Sequence, residues 1–498
     1  MVIQSIEVMT DLNRIIYCSL ILLTSHVCIA QKSKTSDISL KDISLLPPDS
    51  NKKICVNNLQ VIGTKKTKDY IVYRELQFKR GDSLVISQLQ KELEQARQQI
   101  YNTTLFNEVK LEMMVVDRHN INITIKVTER WYLYPTPQFQ LVDRNFNEWY
   151  KTYKASFDRV NYGLKFVHYN LSGRKDQLRI YLINGYTRNI SFNYTAPSSK
   201  KSQSEGITMG GGFSQRREVA YKTDNKDSLL FYPSDPTIKA KADFVYKNWY
   251  AYAGYIIRRG MFKKHTITIY YTHQKVDDSV INVKYNPNYF KDSVSSKGVL
   301  DLSYVFQYSK LDNGSYPLKG RSGFINIVKR GIGFTGGVNM LSIEAGINQY
   351  FDLGKNWYSN FQLNGKIKLP LDQAYINQRG LGYGESYLRG LEYYVIDGVA
   401  TALIKSTIKK KLIAFNVPFP FFPKLLTKIP FTFFAKTYAD VGYAYNKKYY
   451  DTYLNNRLLY SGGFGIDILT LYDINLRFEY SFNQLKENGL FLHNQSGF

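Results

Sequence analysis

The alternation of apolar and polar positions changes its character near Trp131. Before this residue, alternating segments are mixed with segments of helical spacing. After it, segments of about ten residues alternate with a period of two, which predicts β-strands with two different faces. The clearest example, residues 474–483, places Arg477 and Glu479 on a polar face and only apolar or aromatic residues on the other face.

The large C-terminal region, residues 131–498, contains about sixteen of these segments. They begin near Tyr134, Asn161, Gln177, Asn189, Ile207, Ala240, Thr266, Val299, Ser322, Leu341, Trp357, Ala402, Thr432, Leu459, Ile474 and Leu490. An even number of such strands is typical of an antiparallel transmembrane β-barrel, with lipid outside and water inside. A soluble β-sandwich shows the same alternation but does not need so many long strands in succession. We interpret residues 198–206, 223–237 and 277–297 as extracellular loops.

The preceding segment, residues 53–130, predicts a small α+β domain. A first strand ends at Gly63, and helical spacing predicts helices over residues 68–77 and 86–101. Alternation then predicts strands over residues 106–115 and 120–129. The resulting order is β-α-α-β-β.

This order and its landmark residues resemble a POTRA domain. The landmarks are Gly63, Arg74, Glu75, Leu76, Gly81, Asp82, Leu105, Phe106, Val109, Ile125, Val127 and Glu129. The alternative is a generic small α+β domain with no such relationship. The resemblance implies a periplasmic domain whose exposed strand edge accepts an extended client strand.

The N-terminal segment predicts export. Arg14 precedes an apolar run over residues 15–30, and Cys28 and Ala30 supply small residues just before Gln31. This pattern predicts a signal peptide over residues 1–30. The run is short for a bilayer-spanning helix, although an N-terminal anchor helix is the alternative. Residues 31–52 are polar and predict a linker.

The charge and composition admit more than one class of protein. The 42 Tyr and 29 Phe suit both β-strands and membrane–water interfaces. A net charge of +25 is also found in nucleic-acid-binding proteins. Here the Lys and Arg residues are scattered through strands and loops, and no nucleic-acid-binding module is recognisable. We therefore expect no nucleic-acid partner, and a basic lumen or loops facing anionic lipid headgroups instead.

The candidate chemistry does not favour an enzyme. Two of the three Cys residues lie in the predicted signal peptide, and the six His residues are dispersed without metal-ligand spacing. The sequence contains no nucleophile elbow, Walker loop or dinucleotide fingerprint. We expect no catalytic site, no metal and no cofactor.

Three segments of the large region resemble barrels of the Omp85 superfamily, which includes BamA-like and TamA-like outer-membrane proteins. Residues 169–194 resemble an early hairpin of the family through Asn170, Gly173 and Leu178. The segment 371–396 contains Leu388, Arg389, Gly390 and Leu391, which resemble the family's Val-Arg-Gly-Phe/Tyr motif on a loop that folds into the lumen. The Arg-Gly pair is kept and both flanking residues differ.

The third segment resembles the family's Phe-x-Asp-x-Gly strand through Tyr438, Asp440 and Gly442. The chain also ends in Phe498, a terminal aromatic residue expected of barrels that an assembly machine handles.

The two later motifs predict a contact between Arg389 and Asp440. An Arg inside a barrel needs a charge partner, and a planar guanidinium binds a carboxylate through two hydrogen bonds. The alternative is a solvated Arg on a turn and an unrelated Asp. One departure is that the family often has a Glu on the strand after the loop, whereas this chain has Ser406 and Thr407.

The resemblance implies an outer-membrane protein that assists the insertion or translocation of other proteins. Its implied partners are outer-membrane lipid, unfolded or extended client proteins, and accessory proteins of the periplasm or membrane. Its implied mechanism combines client capture by the POTRA-like domain with a gated barrel and a weakly closed seam between the first and last strands. The alternative is a structural barrel or a passive channel without protein clients.

Overall fold

The computed structural model describes residues 38–47, 49–141, 154, 156–197, 204–233, 244–418, 428–447, 452–470 and 474–495. The predicted signal peptide, residues 1–30, and the terminal Phe498 lie outside these ranges. In the part of the chain that is described, no helix has both the length and the apolar character needed to cross a membrane.

The small domain packs two helices on one mixed sheet. Its elements are β1 (Ile38–Lys41), β2 (Lys53–Ile62), α1 (Asp69–Tyr73), β3 (Ser83–Val85), α2 (Leu89–Tyr101), β4 (Phe106–Val115) and β5 (Asn120–Glu129), with short 3-10 turns at Ile43–Leu45 and Ile86–Gln88. The strand order is β1-β4-β5-β2-β3. The apolar side of α2, through Leu93 and Ile100, joins a core with Ile121, Ile123 and Ile125 from β5, as their alternation predicts.

Three details of this domain differ from the prediction. The strand β3, which lies between the two helices and pairs with β2, is absent from the predicted β-α-α-β-β order. The first helix ends at Tyr73 rather than Gln77, because Glu75 and Leu76 form shorter turn-type hydrogen bonds to Val72 and Tyr73. Leu76 is buried although it lies in this turn, so its position fits the helical spacing without being part of the helix. The predicted linker also contributes β1, which pairs in parallel with β4 from Ile38 opposite Leu111 to Lys41 opposite Met114.

The large region consists of long antiparallel strands. In chain order they are β6 (Leu133–Leu141), β7 (Val160–His168), β8 (Gln177–Gly185), β9 (Thr187–Ala196), β10 (Glu205–Arg216), β11 (Val219–Thr223), β12 (Leu229–Tyr232), β13 (Tyr246–Arg259), β14 (Lys263–Val276), β15 (Ser296–Leu311), β16 (Gly320–Arg330), β17 (Met340–Gly354), β18 (Trp357–Leu369), β19 (Arg379–Leu381), β20 (Ile396–Asp397), β21 (Ala400–Pro418), β22 (Lys428–Tyr445), β23 (Leu458–Leu469), β24 (Asn475–Asn483) and β25 (Asn488–Gln495). Short 3-10 turns occupy Phe157–Arg159, Asp278–Ile281, Ile332–Gly337 and Tyr375–Asn377.

Sixteen of these strands form one sheet in sequential order from β6 to β25, while β11 with β12 and β19 with β20 form separate short hairpins. The prediction of a mainly β protein, with sixteen antiparallel strands behind a small α+β domain, is confirmed. Within the described residues, no backbone ladder joins β6 to β25.

The two faces of the large sheet differ as the alternation predicts. On β22, Lys436, Tyr438 and Asp440 are buried on the concave face, whereas Val441 and Tyr443 are exposed on the convex face. We call the space inside the concave face the lumen.

The two ends of the sheet are distinguished by the small domain. The β7–β8, β13–β14 and β15–β16 turns contact this domain, so they lie at one end, which we call the mouth. Residues 198–203 of the first predicted extracellular loop lie outside the described residues. The predicted extracellular position is wrong for Ser204, whose carbonyl accepts a hydrogen bond from the backbone of Arg258 beside the small domain. The described residues of the two other predicted loops, 223–233 and 277–297, follow β10 and β14 and lie at the opposite end.

Candidate functional site

The segment between β18 and β21, residues 370–399, folds back into the lumen, and we call it the lumen loop. It contains the β19–β20 hairpin and a tight turn in which Gly382 donates a hydrogen bond to Ser386 at 2.7 Å. Leu388 and Leu391 from the loop pack in an apolar cluster with Leu403 and Ala444 from the sheet. Both residues that differ from the family motif are therefore buried apolar contacts.

Arg389 of the lumen loop binds Asp440 of β22, as the motifs predict. Its Nε donates to Asp440 Oδ2 at 2.9 Å, its backbone N donates to the same oxygen at 3.1 Å, and its Nη2 donates to Oδ1. Asp440 is 0% exposed and Arg389 is 9% exposed. The pair is thus a buried, two-pronged ion pair that fixes the loop against the sheet.

The remaining donors of Arg389 find acceptors although the Glu that the family often has on this strand is missing. Its Nη1 donates to Thr407 Oγ1 at 3.0 Å, and its Nη2 donates to the Ser406 carbonyl at 3.3 Å. The ring of Tyr438 lies beneath the guanidinium, with its centroid 4.0 Å from Arg389 Cζ. A second carboxylate comes from Glu479 on β24, whose Oε1 lies 3.9 Å from Nη1.

The glycines of both motifs provide space at this contact. A Cβ at Gly442 would lie 2.8 Å from Leu388 Cδ1, so the glycine leaves room for that side chain. Gly390 has φ +88°, and its Cβ would lie 2.8 Å from Ser481 Cβ. Tyr438, Asp440 and Gly442 share one face of β22, because side chains two residues apart point to the same side of a strand. The Tyr-x-Asp-x-Gly spacing therefore places an aromatic ring, a carboxylate and a position without a side chain next to one another.

A buried charge network, which sequence reasoning missed, extends from this pair toward the mouth. Lys436 Nζ lies 2.6 Å from Glu479 Oε1 and 2.5 Å from Asp467 Oδ1 on β23. The side chains of Lys436 and Asp467 are almost completely buried. Period-two alternation could have placed Lys436 on the face of Asp440, but it could not show which residue of β23 or β24 lies opposite.

The β15–β16 turn, residues 312–319, carries Tyr316 into the lumen. Its hydroxyl donates to Asp467 Oδ2 at 2.7 Å, and its ring lies 5.0 Å from that of Phe434, centroid to centroid. Tyr316 is 2% exposed. This mouth-end turn is thereby fixed to the network that contacts Arg389.

We expect replacement of Tyr316 with Phe to lower the free energy of unfolding by about 1–2 kcal/mol, because Asp467 loses one hydrogen bond but keeps Lys436. Urea unfolding in detergent micelles measures this difference. Tyr358→Phe is the matched control, since Tyr358 also contacts Phe434, and no hydrogen bond of its hydroxyl is found in the described part of the chain. Equal losses in the two variants would contradict a role for the Tyr316 hydroxyl.

The small domain contacts the β7–β8 turn around Asn170. The Asn170 amide donates to Thr67 Oγ1 at 3.0 Å, and Thr67 Oγ1 lies 2.9 Å from the Tyr132 hydroxyl. The Lys68 backbone N donates to the Gly173 carbonyl at 3.0 Å. The early hairpin that resembles the Omp85 family therefore forms part of the domain junction.

A second junction contact joins Glu75 of the small domain to Arg258 of β13. Arg258 donates from Nη1 to Oε1 at 2.8 Å and from Nη2 to Oε2 at 2.6 Å, and Arg74 adds a 3.0 Å ion pair. Burial by itself raises the pKa of the Glu75 carboxyl, but the hydrogen bond from Arg258 and the charges of both arginines lower it to about 2.

A third junction contact joins the end of α2 to the β15–β16 turn. The Asn102 side chain donates to the Leu311 carbonyl at 2.9 Å and accepts from the Gly314 backbone at 3.0 Å. The same turn carries Tyr316. Asn102 of the small domain therefore binds the turn whose tyrosine side chain enters the lumen.

The other landmarks of the small domain have structural roles. Gly63 has φ +102°, and a Cβ there would lie 2.0 Å from the Val127 carbonyl oxygen. Gly81 has φ +90°, and Asp82 accepts a hydrogen bond from the Lys79 backbone at 2.8 Å. Glu129 accepts the Thr67 backbone N–H at 2.7 Å. Phe106 and Val109 are buried in the core.

The small domain matches a known sequence family. The POTRA model, described as the surface antigen variable number repeat, matches residues 55–130. No curated protein matches the chain in sequence.

Most of the chain also resembles two solved structures. CdiB from Escherichia coli has 13% sequence identity and a TM-score of 0.51, over 89% of this chain and 75% of that protein. BamA from Haemophilus ducreyi lacking POTRA domains 1–3 has 14% identity and a TM-score of 0.49, over 90% of this chain and 85% of that one. The first likeness establishes the shared fold.

Proposed function

We propose that this chain, which has the architecture of an Omp85-type protein with a POTRA domain before its barrel, assists the insertion or translocation of other proteins at the bacterial outer membrane. The observation that carries the proposal is the lumen loop, which a buried ion pair between Arg389 and Asp440 holds against the sheet. A client that enters the lumen from the POTRA domain would meet this loop before it reaches the opposite end. The loop is therefore suited to open and close the lumen.

The outer surface of the sheet supports the membrane position. Side chains such as Ile267, Ile269, Phe361 and Leu363 are exposed on its convex face. An apolar exterior with a polar interior is the arrangement that a bilayer requires of a spanning sheet. In this orientation the POTRA domain, at the mouth, lies in the periplasm.

The sheet edge at β4 supports client capture. Within this chain β1 already adds to that edge as an extended parallel strand. Backbone pairing of this kind needs no particular side chains, so the same edge suits an extended client that displaces β1. The clients are unfolded or extended proteins, and accessory proteins of the periplasm or membrane can assist at the same surface.

Contacts between the lumen loop and the last strand support gating. The rings of Tyr387 and His493 stack with centroids 5.5 Å apart, and Glu392 Oε1 lies 3.4 Å from His493 Nε2. His493 belongs to β25, which has only eight residues. Movement of the loop would therefore remove contacts from the strand at the edge of the sheet, where a client strand would pair.

The proposed role is not enzymatic and uses no cofactor. The free energy for client movement comes from burial and backbone pairing as the client folds. The residues of the loop contact position the gate and do not react.

Depletion of the protein in its host tests the proposal. We expect the outer-membrane levels of other barrels or of an exported protein to fall, and a gene for the wild-type chain to restore them. Quantitative mass spectrometry of outer membranes provides the measurement. Unchanged protein levels combined with altered solute leakage would overturn the proposal in favour of a passive channel.

A further inference from the structure

Adjoining cavities of about 620 Å³ and 460 Å³ lie at the junction between the POTRA domain and the sheet. The larger one, which we call the mouth cavity, extends from Arg74 and Asn102 of the POTRA domain to the start of the lumen at Gln307 and Asn348. A chain that passes from the POTRA domain into the lumen would meet this cavity first.

The mouth cavity is strongly cationic. Among the described residues its lining contains Arg74, Lys175, Arg258, Lys263 and Lys264, and no Asp or Glu. The adjacent Glu75 is already bound by Arg258 and Arg74. The cavity therefore has more positive charge than the neighbouring carboxylate balances.

Three of these cations, Lys175, Lys263 and Lys264, form no ion pair with a carboxylate in the described part of the chain. Lys175 lies in the β7–β8 turn, and Lys264 lies on β14, where the exposed Ile267 and Ile269 place it by alternation on the concave side. Burial and the nearby charges of Arg74 and Arg258 lower the pKa of Lys175 to about 8, partly offset by Glu75. A bound carboxylate would relieve this crowding of positive charge.

The rest of the lining suits an extended peptide. Gln177, Gln307 and Asn348 offer amide donors and acceptors, and Phe262 and Phe324 offer apolar surface. An anionic lipid would reach its headgroup site from the convex face, whereas this cavity opens on the concave face. The position and the charge together favour a polypeptide with acidic side chains.

We propose that the mouth cavity binds an acidic, extended segment of the client, with Lys175 and Lys264 receiving its carboxylates. This assignment rests on the proposed function for its biological role, since it names the class of substrate. Binding itself is independent of transport, and purified protein can test it.

The test uses two fluorescent peptide probes of twelve residues, one alternating Glu with Ser and the other alternating Gln with Ser. Anisotropy with the full chain in lipid nanodiscs gives the dissociation constants. We expect the Glu peptide to bind at least 10-fold more tightly than the Gln peptide, and raised salt to reduce this difference. Equal binding of the two peptides would overturn the proposal.

Single substitutions identify the site. Lys175→Gln and Lys264→Gln are each expected to weaken binding of the Glu peptide about 3–10-fold, while Lys264→Arg retains it. Lys355→Gln is the matched control, because it removes an exposed cation from the β17–β18 turn at the same end without lining the cavity. Equal weakening by the control would show non-specific attraction and overturn the assignment.

Inorganic phosphate at millimolar concentration distinguishes the class of anion. Displacement of the Glu peptide by phosphate at the same ionic strength as a chloride control would assign the cavity to phosphate-type anions and overturn the peptide proposal. If depletion leaves other outer-membrane proteins unchanged while the peptide still binds, the proposed function fails and the cavity assignment stands. The reverse result removes only the cavity assignment.

Discussion

Replacement of Asp440 with Asn is expected to release the lumen loop from β22 and to raise the mean conductance of the protein in planar bilayers. The change leaves Arg389 buried without its full charge partner, and breaking a buried ion pair in this way costs about 3–5 kcal/mol. Glu479, at 3.9 Å, is already bound by Lys436 and cannot replace both hydrogen bonds. Single-channel recordings give the fraction of time spent in conducting states.

Two comparisons make this result specific. Asp176→Asn removes another fully buried carboxyl charge, from the β7–β8 turn, and is expected to leave the conductance unchanged. Arg389→Gln combined with Asp440→Asn should cost less than the sum of the single changes, since each alone already breaks the pair. Wild-type conductance in Asp440→Asn would show that the contact does not hold the gate.

Replacement of Glu75 with Gln is expected to detach the POTRA domain from the β13–β14 turn. The change leaves Arg258 and Arg74 together without a carboxylate, at a cost of about 3–5 kcal/mol. Hydrogen exchange measured by mass spectrometry should show faster exchange over α1 and the β13–β14 turn. Glu92→Gln on α2 removes a charge of the same domain that has no ion pair within the described residues, and should leave exchange unchanged.

The same contact should depend on pH. Because the pKa of Glu75 is lowered from 4.5 to about 2 in the folded protein, its contribution is fully present above pH 4.5 and is lost as the pH falls toward 2. The difference corresponds to about 3 kcal/mol. Acid-induced exchange over α1 should therefore increase across this range in the wild type but much less in Glu75→Gln. Identical pH profiles would contradict a charged Glu75 at the junction.

The sequence predicts the strands well because their alternation is a local property, with apolar side chains such as Ile267 and Ile269 recurring at every second position of the convex face. Fifteen of the predicted strand starts lie within a few residues of the observed ones, whereas Ala240 falls outside the described residues and β13 begins at Tyr246. The end of the sheet at which Ser204 lies could also be predicted, since the fourth connection of an up-and-down sheet that starts at the POTRA end must return to that end. The polar composition of this connection suggested an extracellular loop, but the number of preceding strands determines the end of the sheet at which the connection lies.

The contacts of the lumen were harder to predict because they depend on which strands face each other across it. The motifs identified Arg389 and Asp440, but Tyr316 lies in a short polar turn that sequence alone would expose to solvent. Its burial follows from the turn folding inward toward Asp467, which is 151 residues away in sequence. The partners of Arg389 at the position of the family Glu were likewise not predictable, because Thr407 and Glu479 lie far from Arg389 in sequence and meet it only in the folded sheet.

Asn102 begins a continuous series of contacts that ends at the lumen loop. It binds the β15–β16 turn, whose Tyr316 binds Asp467, and Lys436 connects Asp467 to Glu479 beside Arg389. Where such a series couples two equilibria, thermodynamic linkage is reciprocal. A ligand on the POTRA domain that weakens the loop contact by a given factor must then itself bind more tightly by that factor once the loop is free. The protein would in this way hold a client most strongly when its gate is already open.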